Sequence, residues 1–337
     1  MYHTIFNRLQ TMQTSSAERA VVSVGPEDIR HDLVLFPPQE KESLTGAYLA
    51  FAAICILWGT TFVAIRVVIE TIPTLIVTGY RFLLAGAILF VIARLTKAAF
   101  PRDVREWRDQ AIAGIVMAGA GNALVVFAEH TLTSGMAALL AATIPIWMAV
   151  MESILGESRF TVGSVAGLAL GFGGVGLLVA PAIGNLDLSA DFLIAVGAMQ
   201  LSAICWNSGT LFSRRRITHS DPLARSVIQM TAAGAAVTLT AFLAGERPAL
   251  AMFTPRSTAA LVYLAVFGSV IAYWAYTYAQ TKLSAGKVAS YAYVNPAVAT
   301  FFGALLLGEP VTLRMIVAMV VILAGVALIQ VSRKRAK

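Results

Sequence analysis

Apolar residues arrive along this chain in ten blocks, separated by short polar and basic clusters. The blocks run approximately over 47–67, 74–95, 110–129, 133–154, 161–180, 189–212, 223–244, 257–279, 284–307 and 313–331. A helix rising 1.5 Å per residue crosses the ~30 Å hydrocarbon layer in about 20 residues, the length of each block. Backbone groups in lipid have to be satisfied internally, which leaves helices or closed barrels as spanning structures. Barrel strands alternate apolar and polar positions. These blocks do not alternate, so the pattern predicts an all-α integral membrane protein with ten transmembrane helices.

The first 45 residues lack such a block. They mix Arg8, Glu18, Arg19, Glu27, Asp28, Arg30, Asp32 and Glu40 with little apolar continuity. The run Leu33–Phe36 is too short to span, and Pro37 and Pro38 end it. No apolar core follows a basic start, so the segment does not read as a signal peptide. Residues 1–45 are expected to form a disordered cytoplasmic tail.

Composition agrees with the pattern. The chain is 58% hydrophobic and 13% charged, where soluble domains carry about 25% charged residues. Mean hydropathy is +0.76. The net charge of +7 raises the question of nucleic acid, but no basic stripe or aromatic stacking platform accompanies it. The Lys and Arg residues sit between the blocks instead. With the N-terminus in the cytoplasm, 20 of the 25 fall in inside segments, and only Arg247, Arg256 and Arg314 fall outside. That bias predicts both termini in the cytoplasm and suits a bacterial inner membrane. Cys55 and Cys205 stand alone, and the four histidines lie at least 28 residues apart. Neither spacing suits a disulfide framework or a metal site, and no cofactor motif is present.

The chain also repeats itself. Trp58-Gly-Thr-Thr-Phe-Val-Ala-Ile-Arg66 resembles Trp206-Asn-Ser-Gly-Thr-Leu-Phe-Ser-Arg214, at an offset of 148 residues. The fourth block carries Gly135, Pro145 and Gly156-Glu157; the ninth carries Gly286, Pro296 and Gly308-Glu309. The halves are 46–181 and 188–332, with five blocks each. Five crossings are odd, so the second half starts on the opposite side and the two copies are inverted. Inverted repeats are a recurrent transporter design, because two pseudo-symmetric states give alternating access.

These motifs resemble those of EamA-type transporters in the drug/metabolite transporter superfamily. The likeness lies in Leu57-Trp58-Gly59-Thr60-Thr61-Phe62, Tyr80-Arg81-Phe82, Ala128-Glu129-His130, Ser134–Leu140, Ser290–Pro296 and Gly308-Glu309. It spans residues 46–332. The resemblance implies two inverted five-helix EamA repeats around a central cavity, and export of amino acids, nucleosides, other metabolites or drugs. It names no single substrate.

Several residues could carry chemistry. An arginine near the bilayer centre costs roughly 2.5–3.5 kcal/mol on insertion scales. Arg81 therefore needs a carboxylate, carbonyls or water, with Glu129 and Glu70 the acids on its side. It is either a gate or substrate contact, or half of an ion pair bracing helices. Glu129 and His130, adjacent at a membrane boundary, are candidates for proton coupling. Trp58, Trp206, Tyr273 and Tyr291 are candidates to line a cavity. Tyr291 and Asn295 share a helix face, and Pro296 frees the carbonyl of Ala292. Asn122, Gln200 and Asn207 suit either a cavity wall or hydrogen bonds between helices. Gly163, Gly167 and Gly171 suit either a homodimer face or packing inside one chain.

The function expected is secondary active transport of a small molecule, driven by a proton or substrate gradient and carried out in the lipid bilayer without cofactors. An embedded enzyme would need a nucleophile with its base or a metal cluster. A channel would need a filter sequence or charged rings. None of these is evident.

Overall fold

The computed structural model describes residues 44–157, 161–184, 190–216, 220–283, 288 and 291–335. The expected tail lies outside them up to residue 43. Every regular element among the described residues is helical. The helices are α1 (Leu44–Val68), α2 (Thr74–Leu95), α3 (Val104–Ala128), α4 (Ser134–Ile154) and α5 (Val162–Gly184). They continue with α6 (Ala190–Arg214), α7 (Pro222–Leu243), α8 (Pro255–Lys282), α9 (Tyr291–Leu307) and α10 (Leu313–Arg335). Eight are long and apolar enough to cross a membrane; in α5 and α9 the apolar stretches Val162–Leu178 and Tyr291–Leu307 are shorter.

Local chemistry accounts for the boundaries. Asp103 caps α3 by accepting from the Arg105 amide at 2.8 Å. The cap starts α3 at Val104, six residues ahead of the apolar block, because Val104–Gln110 can form helix without being apolar enough for lipid. Thr254 caps α8 through the Ser257 amide at 3.2 Å, and Pro255 occupies the first turn, where no amide is needed. Gly156 and Gly308 close α4 and α9 with φ of +74° and +66°, a conformation open to glycine without a Cβ penalty. The residues before Tyr291 that were expected in the ninth span, 284–290, are outside the described set except Val288.

Close packing uses small residues. α2 runs along α7, where a Cβ on Gly79 would stand 2.3 Å from the Thr238 hydroxyl, and one on Gly234 2.6 Å from the Leu83 amide. α5 runs along α10: a Cβ on Gly167 would meet the Gly325 carbonyl at 2.7 Å, and one on Gly163 the Ser332 hydroxyl at 2.0 Å. Gly171 lies against Ile146 of α4. Gly167 and Gly171 are buried and Gly163 is half-buried, each packed against α10 or α4 of the same chain. α1 packs on α8 and α9, and α6 packs on α3 and α4. Leu49, Phe90, Leu239, Phe301 and Val320 point outward and are exposed. An apolar exterior of this extent fits lipid rather than water.

Candidate functional site

Four helices lose their regular ladder around one cavity. α3 widens to a π segment at Ile115–Ala120, and α8 does so at Leu264–Ile271. α4 breaks between Ala141 and Ile144, because Pro145 in the next turn has no amide to donate. α9 carries Pro296 inside the helix. Such irregularities free backbone groups and open space, and π segments recur at functional sites. Here they surround a cavity of about 140 Å³. One water needs only ~10–15 Å³, so there is room for several waters or a small organic molecule. Helices α1–α4 and α6–α9 all contribute lining residues; α5 and α10 do not.

Trp58, Arg81, Asn122, Trp206, Tyr273, Tyr291 and Asn295 all line this cavity. Arg81, on α2, is 6% exposed. Its Nε donates to the Ser269 hydroxyl at 2.9 Å, and that hydroxyl donates to the Leu264 carbonyl at 3.1 Å within the π segment of α8. Gly268 makes room for the guanidinium: a Cβ there would lie 3.3 Å from Nη2 and 2.6 Å from Cγ2 of Thr61. The guanidinium also sits 5.1 Å from the Phe82 ring centre. Among the described residues Arg81 forms no salt bridge within 4.0 Å. Glu70 pairs at the surface with Arg256 at 3.2 Å. The helix-bracing ion pair expected of Arg81 is therefore not formed with Glu70 or Glu129.

The other lining residues divide into anchored and open ones. Trp58 donates from Nε1 to the Gly268 carbonyl at 3.1 Å and meets Tyr291 edge-on at 4.8 Å between ring centres. Tyr276, not counted among the candidates, completes the cluster at 5.2 Å from Trp58. With its amide turned so that the nitrogen faces them, Asn295 donates to the carbonyls of Cys55 at 3.1 Å and Tyr291 at 3.2 Å, tying α9 to α1. Tyr273 donates to Gln229 at 3.4 Å, and Gln229 donates to Gln110 at 2.7 Å. Asn122 and Trp206 line the cavity with no side-chain hydrogen bond among the described residues. Asn207 and Gln200 do not line it: Asn207 donates to the Ile144 carbonyl at 2.8 Å, and Gln200 accepts from Trp147 at 2.9 Å.

Gln229 and Ser269 were not among the sequence candidates. A signal existed for Gln229, which stands 148 residues after Arg81, the same offset that separates the two tryptophan motifs. Ser269 carried none, because its role depends on a π turn aiming it across to α2.

Ion pairs close on the ends of α1 and α6. Arg66, ending α1, donates to the Glu129 carbonyl and lies 3.7 Å from the Glu309 carboxylate. Glu309 accepts from the Ser134 amide at 3.0 Å and the Ser134 hydroxyl at 2.6 Å, capping α4 from a distance. The Glu129 side chain is fully buried, and its carboxylate oxygens have no hydrogen-bond partner among the described residues. His130 turns elsewhere, with Nε2 2.9 Å from the Thr74 hydroxyl. Burial, then the Arg66 charge, push its pKa below the usual 6.5, against the pull of Glu246. No hydrogen bond joins the two neighbours among the described residues. At the end of α6, Arg214 binds Glu152 at 3.1 Å and Arg215 binds Glu157 at 2.8 Å.

This architecture has counterparts among known proteins. The family model of the EamA-like transporter family matches residues 45–180 and again 193–331. The chain is 33% identical over 291 residues to the uncharacterized inner membrane transporter YedA of Escherichia coli, covering 84% of this chain and 90% of that one. It is 25% identical to the uncharacterized transporter YvbV of Bacillus subtilis, over 89% and 95% of the two chains. A WAT1-related chloroplastic protein of Arabidopsis thaliana is 25% identical over 81% of this chain and 66% of its own. One solved crystal structure superposes with a TM-score of 0.62 at 18% identity, covering 86% of this chain and 98% of that chain, a likeness of fold. On a model that matches twice and a relative at one-third identity, the chain belongs to the EamA-like transporter family.

Proposed function

We propose that this protein is a secondary active transporter that exports small metabolites, such as amino acids, nucleosides or drugs, across a bacterial inner membrane by alternating access. One observation carries the reading: a cavity lined by four helices from each half of the chain, with a buried arginine in its wall. A carrier needs such a shared chamber between its two halves, so that either end can open to it in turn.

In this reading α1–α5 and α6–α10 are inverted repeats, ten spans in all, with both termini in the cytoplasm. Their contacts support the symmetry. α2 packs on its counterpart α7 and α5 on α10, while the α1–α8 and α6–α3 contacts correspond. The ion pairs of Arg66 and of Arg214 and Arg215 close the ends of corresponding helices, α1 and α6. Opposite gates would behave this way, one made as the other breaks. Trp58, Arg81, Asn122, Trp206, Tyr273, Tyr291 and Asn295 form the substrate wall. Of Glu129 and His130, Glu129 is the better coupling site. Its carboxyl group is sealed beside the Arg66–Glu309 pair, where taking up a proton would alter the balance of the gate.

Inside-out vesicles containing the protein test this with pooled labelled amino acids, nucleosides and drugs, with and without a pH gradient. Saturable uptake above empty vesicles, enhanced by the gradient, is expected. Conductance that does not saturate would replace the carrier with a channel.

A further inference from the structure

Building on the transporter reading, and narrowing its substrates away from zwitterionic amino acids and neutral nucleosides, we infer that the cavity selects an organic monoanion: a small apolar or aromatic body bearing one carboxylate, held by Arg81. Of the described residues lining the cavity, Arg81 is the one charged side chain, and no aspartate or glutamate among them accompanies it. Its Nε is held by Ser269 at 2.9 Å. The two Nη groups are in no hydrogen bond to a described residue and are not among the sealed unpartnered atoms. The Nη end of the guanidinium is thus open to the cavity that Arg81 lines, and such a planar fork matches a carboxylate bidentately.

The corresponding position in the second half sharpens this. Gln229, 148 residues on, has its amide engaged with Gln110 at 2.7 Å and with the Tyr273 hydroxyl at 3.4 Å. One half therefore carries a braced neutral amide and the other an under-partnered cation, so the wall is positive on one side only. Glu129 is the carboxylate whose charge reaches Arg81, but its oxygens are sealed outside the lining and cannot take up those donors. The rest of the wall is suited to an apolar body, with Phe62, Phe82 and the open ring of Trp206. An amine would meet the Arg81 charge with no acid to offset it. A zwitterion would bring an ammonium group that no lining carboxylate receives.

The test uses the purified full-length protein and four probes of one shape: 3-phenylpropanoate, 3-phenylpropanamide, 3-phenylpropylamine and L-phenylalanine. Binding is read by tryptophan fluorescence and transport by counterflow in proteoliposomes. In the wild type the acid is expected to bind tighter than the amide by about tenfold or more, the scale of hydrogen bonds to a charged group. The amine is expected to bind most weakly. Arg81→Gln should erase the acid's advantage, and Arg81→Lys should keep part of it. If Arg81→Gln fails to fold, the comparison of acid and amide in the wild type decides alone. Equal affinity for acid and amide, preference for the amine, phenylalanine binding as tightly as the acid, or no response to the acid at millimolar concentration would each overturn the proposal. Preferential counterflow of amine or amide would do so while leaving the carrier intact. Acid that binds but is not moved would keep this site and refute the transport reading.

Discussion

Buried polar side chains in this protein differ in whether they have partners, and that difference separates braces from working groups. Asn295 and Gln229 are engaged by neighbouring helices. The Glu129 carboxylate has no hydrogen-bond partner among the described residues. Burying a charge without a partner is costly, so such a group persists where its protonation is used. Glu129→Gln keeps the shape and removes the titration. Uptake driven by a pH gradient is expected to fall to the level seen without one, while counterflow at equal pH continues. An unchanged response to the gradient would remove Glu129 from coupling. His130 behaves differently, because its pKa lies below 6.5 and the folded protein favours the neutral ring. The unfolded chain binds that proton more readily, so acidification through about pH 6.5 and below costs the wild type stability. The melting temperature of His130→Asn should therefore gain on the wild type as pH falls from about 7 to about 5. Above about pH 7 both transport profiles should coincide, since the ring is neutral there.

At the scale of helices, contact distance decides what can change. Gly114, just before the π segment of α3, lies against the α7 backbone. A Cβ there would stand 2.2 Å from the Gln229 carbonyl oxygen and 2.4 Å from its Cα. Backbone cannot swing aside as a side chain can, so Gly114→Ala has to part α3 from α7. A loss of about 1–3 kcal/mol or more is expected, the cost of forcing extra volume into a packed interior. It would be seen as a lower melting temperature in detergent and a lower folded yield. Gly173 of α5 meets nothing within 4 Å, and Gly173→Ala should melt at or above the wild-type temperature, since alanine is the better helix former. Equal behaviour of the two variants would contradict the close crossing of α3 and α7. Gln229 follows from that crossing, because the same residue that confines Gly114 also lines the cavity.

For the whole molecule, the orientation in the bilayer is the property a membrane fusion assay reads directly. On the proposed ten-span topology, 20 of the 25 Lys and Arg residues lie on the N-terminal side, and its even number of crossings would return the chain there. A fluorescent reporter that matures in the cytoplasm, fused after Lys337, should be active, and a phosphatase that matures in the periplasm should be inactive there. Fused in the loop holding Arg247 between α7 and α8, the two should reverse. Activity of the phosphatase at the C-terminus would place that end in the periplasm and overturn the proposed orientation. The same assay tests the gates, since Arg66 and Arg214 end helices that would then point to opposite faces.

Much of this was legible along the chain because lipid imposes a one-dimensional rule. A helix has to be apolar for its whole crossing, so α2 occupies the block 74–95 that hydropathy marks. The motifs in the first, second, fourth and ninth blocks announce the family for the same reason: irregular residues stand out against an apolar background. The early start of α3 was hidden, because Asp103 and a polar turn make helix without making lipid contact. Partnerships were hidden as well. Whether Arg81 meets Glu129, Glu70 or open space depends on where α8 passes, and a π turn there sets Ser269 and Gly268 against the guanidinium. The sequence alone determined that the chain crosses a membrane as helices and repeats itself, since both are periodic features of one strand of residues. Only the tertiary structure decided which polar groups share a cavity, because that depends on distances between helices far apart in the chain.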